Sequence, residues 1–213
     1  MALDPALESS EVEAPRKRPK PGERRVQILQ ALATMLEQPG SERITTAALA
    51  ARLDVSEAAL YRHFASKAQM FEGLIEFIEQ SVFSLVNQIV ATAGDAPGPL
   101  QARRIVSVLL QFGEKNPGMA RVMVGDALVF ENERLQQRMN LFFDKIEATL
   151  RQCLRHSDPA SNPASDTPTV DAQVQAAVMT AFAAGCLQRF TRSGFKRLPT
   201  EQLEASLRGL LFK

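Results

Sequence analysis

"ITTAALAARLDVSEAALYRHFASK", residues 44–67, decides the fold. Thr45 and Thr46 stand where a helix N-cap is wanted, and a short helix runs from there to about Leu53. "RLDV" then makes a tight turn. Ser56 caps a third short helix that ends near Phe64. Leu49, Leu53, Val55, Leu60 and Phe64 converge on one small core, with Ala50 and Ala59 where helices cross closely. With those positions turned inward, Ser56, Glu57, Ala58, Tyr61 and Arg62 are left outward.

The pattern extends in both directions. Upstream, a helix over about 22–38 carries an apolar stripe of Val26, Leu29, Ala33 and Leu36 and ends at "PGS". Downstream, "SKAQ" opens a capping box at Ser66 and Gln69, and a long helix follows to about Thr92. Met70, Leu74, Phe77, Ile78 and Val82 share one face of it. Further helices are expected over 100–115, 118–128, 131–156 and 169–193, with a terminal helix opened by Pro199. Period-2 alternation persists nowhere, so the chain reads as all-α, with about nine helices. Residues 1–21 form an acidic, then basic, proline-rich leader expected to be disordered. Residues 22–66 are expected to form one small helical domain, and 67–213 a second, larger one. The composition of residues 157–168 is that of a linker.

Three short helices with a tight turn between the second and third are the helix-turn-helix arrangement, whose last helix enters the DNA major groove. Small residues at the start of that helix let it sit deep, and its free N–H groups suit phosphate. Tyr61, His63 and Lys67 lie at its end and at the start of the next helix, where a hydroxyl and an ammonium meet the DNA backbone. Charge is distributed to match. Net charge is +1, yet residues 16–67 hold ten Lys or Arg against five acids, and residues 1–15 hold four acids and no base. The basic arm "RKRPKPGERR" (16–25), including Arg24, follows the backbone or enters the minor groove. Candidate DNA contacts are therefore Arg24, Thr45, Thr46, Ser56, Glu57, Ala58, Tyr61, Arg62, His63 and Lys67. The bland readings are a small helical subdomain, a solvated Arg62 and a His63 packed against the first helix.

Along "ITTAALAARLDVSEAALYRHFASKAQMFEGLIEFIE", with "YRHF" and the following Lys67, the chain resembles the DNA-binding region of the TetR family of regulators. Asp54 stands where that family usually has Gly in the turn, and Asp tolerates left-handed backbone angles. "LIEFIE", "FGEKNPGMARVM" and "LRQCLR" resemble a narrower branch of it, the nucleoid occlusion factors. The similarity runs over about 22–156, and more loosely over 175–211. It implies a cytoplasmic, nucleoid-associated homodimer on palindromic double-stranded DNA, with one dimer or two per site. It also implies that the DNA-bound form engages the division protein FtsZ and inhibits its ring. By the same resemblance the FtsZ surface includes Phe77, Lys115 and Asn116, beside Val108 and Gln111; Phe77 and Val108 equally suit a core. The small-residue helix "VQAAVMTAFAAGCLQRF" and the terminal helix would supply the dimer interface.

Two other function classes compete. A ligand-responsive repressor would bind a small molecule among Met119, Met123, Phe130, Phe142 and Phe182, which equally fill a solid core. An enzyme finds no support, for the sequence has no GxSxG, P-loop or HExxH motif and no metal-ligand cluster. No cofactor or metal is expected. Cys153 and Cys186 form no CxxC and read as reduced core thiols. The longest uncharged apolar run, residues 176–187, is too short for a bilayer span, which needs about 20 residues.

Overall fold

The computed structural model describes residues 22–38, 44–92, 94, 96–155 and 168–211. Expectations for the leader 1–21, for "PGS" and for most of the 157–168 linker lie outside these residues. Those described contain helices and no strand. In chain order they are α1 (Glu23–Leu36), α2 (Thr46–Arg52), α3 (Glu57–Tyr61), α4 (Lys67–Ala91), α5 (Gly98–Lys115) and α6 (Pro117–Met123). A single 3-10 turn, Asp126–Leu128, is followed by α7 (Glu133–Arg155), α8 (Pro168–Arg192) and α9 (Leu203–Leu211).

One continuous apolar cluster runs from α1 to α9. α1 buries Ile28, Leu32, Ala33 and Leu36, a 3.6-period stripe. α5 buries Ala102, Ile105, Val106, Leu109 and Leu110, and α7 buries Leu135, Met139, Phe142, Ile146 and Leu150. Phe142 is fully enclosed, with the Phe83 ring edge-on at 5.5 Å and Phe143 at 5.3 Å. α7 and α8 form the most extensive helix pair. α6 meets α1 almost backbone to backbone, since a Cβ on Gly118 would lie 2.0 Å from the Ala33 carbonyl oxygen. Arg121 of α6 also donates to the Leu36 carbonyl at 3.2 Å, closing the C-terminus of α1.

Several expectations are corrected. Val26 is 54% exposed, and Ile28 and Leu32 take its place in the stripe. Phe77 leaves the buried face of α4 and is 47% exposed. The helix expected over 118–128 stops at Met123, because Gly125 takes φ 83° and breaks the ladder before the 3-10 turn. Pro199 does not open the terminal helix; it is buried, and α9 starts at Leu203. By length and composition alone, α4 and residues Val170–Arg192 of α8 are apolar enough to cross a membrane, although each carries charges that interrupt its apolar runs. Both serve here as core helices: α4 packs on α1, α5 and α7, and α8 on α5, α6 and α7.

Candidate nucleic-acid interface

The residues at 44–67 fold as a set of local hydrogen bonds. The Thr45 hydroxyl accepts the Ala48 N–H at 3.1 Å and so caps α2. α2 ends in a Schellman turn: the Val55 N–H donates to the Ala50 carbonyl at 3.0 Å and the Asp54 N–H to Ala51 at 3.2 Å. Asp54 carries the left-handed angle this turn requires, φ 53°. Ser56 then accepts the Ala59 N–H at 3.3 Å and caps α3. The Ser66 hydroxyl accepts the Gln69 N–H at 3.2 Å at the start of α4. Gln69 reaches back one residue further than in a capping box, accepting from Ala65 N–H at 2.8 Å.

Burial sorts α3 as its spacing predicts. Leu60 is buried, and Ser56, Glu57, Ala58, Tyr61 and Arg62 are exposed. Thr45 is also exposed, and Thr46 is half-buried. Thr46 Oγ1 donates to Glu57 Oε2 at 2.5 Å, and the Tyr61 hydroxyl lies 3.5 Å from the same Thr46 oxygen. Thr46, Glu57 and Tyr61 therefore tie α2 to α3 across their outer surface.

The flanking bases are less free than their sequence positions suggest. Arg24 is half-buried and donates to Gln27 Oε1 at 3.1 Å. Arg25, passed over in the sequence as one of a basic run, donates to the His63 carbonyl, and its guanidinium lies 4.1 Å from the centre of the Phe64 ring. It clamps the start of α1 to the end of α3. His63 itself is half-buried. Lys67 is paired with Glu131, from the segment just before α7, and lies 5.7 Å from the Phe71 ring centre. Nothing local in the sequence signals that pair.

The residues named for a protein partner separate. Phe77 and Lys115 are exposed. Asn116 is half-buried, and its Nδ2 donates to the Phe112 carbonyl at 2.8 Å, closing the end of α5. Val108 is half-buried and Gln111 exposed. The residues named for a ligand pocket are divided between core and surface. Met123 and Phe142 are in the core, whereas Phe130 is 66% exposed. Phe130 instead edges an open cavity of about 540 Å³ with Glu37, Arg121, Asp126, Thr191 and Phe195. Burial pushes both cysteine thiols up from their ordinary range. Among the described residues, no group of three His, Cys, Asp or Glu is arranged to hold a metal.

A second surface is of the opposite kind. α8 turns Ala172, Ala176, Met179, Ala183 and Leu187 into the core but leaves Val170, Val174 and Val178 at 54%, 56% and 43% exposure. Ala177 and Ala181 are exposed beside them.

Comparison with known proteins agrees with this geometry. Residues 28–74 match the bacterial regulatory proteins of the tetR family, and residues 100–212 match the SlmA-like, tetracyclin repressor-like C-terminal domain. The chain is 50% identical over 183 residues to nucleoid occlusion factor SlmA of Escherichia coli, covering 85% of this chain and 90% of that one. It is 50% identical over 182 residues, with the same coverages, to SlmA of Photobacterium profundum. The fold superposes with a TM-score of 0.69 on PfmR, a TetR family transcriptional regulator from Thermus thermophilus, at 20% identity and covering 87% of this chain and 97% of that one. The chain belongs to the TetR family of DNA-binding regulators, in the branch of the SlmA nucleoid occlusion factors.

Proposed function

We propose that the protein binds palindromic DNA as a homodimer and, once bound, inhibits assembly of the FtsZ ring over the nucleoid, within the cytoplasm. The observation that carries this reading is the 50% identity to SlmA over 85% of the chain, which extends past the helix-turn-helix into the C-terminal helices. α3 is the reading element. Ser56, Ala58 and Arg62 face base edges, while Tyr61, Thr45, Lys67 and the α3 N-terminus face phosphates. Arg24, Thr46, Glu57 and His63 act at one remove, holding α1, α2 and α3 in register. The apolar face of α8 joins two copies, so that their reading helices lie one turn of DNA apart, about 34–36 Å. One dimer or two then occupy a site.

FtsZ docks on the outer surface formed by α4 and α5, with Phe77 and Lys115 as contacts and Asn116 shaping the end of α5. The test is sedimentation of FtsZ polymers with the protein and duplex DNA selected by it from a random pool. Polymers are expected to shorten or vanish only with both present. Lys115→Glu should abolish that effect and leave DNA affinity unchanged. Unaltered polymers with wild-type protein and DNA would sink the FtsZ reading; loss of both activities in Lys115→Glu would indicate misfolding, which a melting curve detects.

A further inference from the structure

Lys67 sits at the first position of α4, which the DNA-binding reading places beside a backbone phosphate, yet its nitrogen is paired with Glu131. The Glu131 side chain is only 10% exposed and that of Lys67 only 26%, so water screens the pair weakly. Glu131 belongs to a short segment between the 3-10 turn and α7 whose neighbours Val129 and Phe130 are 68% and 66% exposed. Two further ion pairs join the same two parts of the molecule. Arg134 meets Glu72 at 2.6 Å, and Arg138 grips both oxygens of Glu79, at 2.5 and 3.3 Å. Hydrogen bonding to Glu79 holds the Arg138 guanidinium more firmly protonated than usual.

We propose that Glu131 is an internal competitor for DNA, latching Lys67 in the free protein and releasing it to a phosphate on binding. The inference rests on the DNA-binding reading above. A carboxylate and a phosphate are both acceptors for one ammonium, and a phosphate brought to Lys67 repels the Glu131 charge beside it. Opening this one pair leaves Arg134–Glu72 and Arg138–Glu79 to keep α7 seated on α4. Release is then confined to the segment around Glu131. Glu131 thus sets DNA affinity without touching DNA, and the Val129–Phe130 lip changes its surroundings when DNA is bound.

The experiment is a set of binding isotherms against salt, using a duplex selected from a random pool by the wild-type protein, for wild type, Glu131→Gln, Lys67→Ala and the double variant. Glu131→Gln should tighten binding roughly two- to fivefold, the scale of one partly exposed ion pair. Its slope of log K against log salt should stay as in wild type, because Lys67 neutralises one phosphate in both complexes, whereas Lys67→Ala should make the slope shallower by about 0.9. Lys67→Ala should weaken binding more in the Glu131→Gln background than in wild type. Unchanged or weaker binding by Glu131→Gln, or equal losses for Lys67→Ala in the two backgrounds, would overturn the latch. Should Glu131→Gln melt early, Glu131→Asp, which withdraws the carboxylate by one methylene, is expected to tighten binding to a lesser degree; no tightening by it overturns the latch as well. A wild-type protein that selects no duplex would instead overturn the DNA reading.

Discussion

α3 and α8 expose opposite chemistry. α3 has five residues, and its outer face is Glu57, Ala58 and Tyr61, framed by Ser56 and Arg62. α8 has 25 residues, and its outer face is Val170, Val174, Val178 and small residues. A five-residue helix does not persist alone, so α3 depends on its Ser56 cap and on Leu60 beneath it. α8 is long enough to present several turns of flat apolar surface, which water penalises until something covers it. The lesson is that the chemistry of each proposed partner matches what the helix leaves uncovered: polar and small for a groove of DNA, apolar and small for a second copy.

The comparison is sharpened by attacking one side at a time. Replacing Val174 and Val178 together by Asp should give a monomer in sedimentation that keeps its helical content and whose melting temperature no longer depends on protein concentration. Affinity for a palindrome should fall by roughly a hundredfold, as two linked half-sites become two independent ones. A dimer that survives would remove α8 from the interface. Gly118→Ala should break both sides alike, because its Cβ meets the Ala33 backbone and forces α6 from α1. A stability loss of about 1–3 kcal/mol is expected in denaturant titration. Ser56→Ala strikes only α3: loss of its cap should lower stability by about 1 kcal/mol and weaken DNA binding, with the dimer intact. Tyr61→Phe is the mildest, expected to weaken binding to all sequences by about 0.5 kcal/mol through one hydroxyl. A sequence-dependent loss would move Tyr61 from the backbone to the bases.

What was legible in the sequence is what is local. The caps at Thr45, Ser56 and Ser66 and the turn at Asp54 depend on neighbours within a few residues, and spacing shows these directly. The outward set on α3 follows from the same periodicity. Val26 and Phe77 were misplaced because a periodic stripe drifts around a helix and does not say where the neighbouring helix stops covering it. The stop at Met123 hung on one glycine angle, and Pro199 looked like a helix start although its chain neighbours form turns first. Least legible were contacts between distant positions. Lys67 and Glu131 lie 64 residues apart and Arg25 and His63 lie 38 apart, and no short-range pattern encodes either pair.

α1 has a consequence of a mechanical kind. At one end Arg25 fastens it to the close of the reading helix, and at the other Gly118 and Arg121 fasten it to α6. The whole of α1 is fourteen residues, a helix about 21 Å long, and both fastenings lie within it. The joint at Gly118 has no side chain between the two backbones, so α6 and α1 meet there as two rigid surfaces. Lys115 and Asn116 stand directly before α6. The surface proposed for a protein partner and the surface proposed for DNA thus stand beside the two ends of one helix.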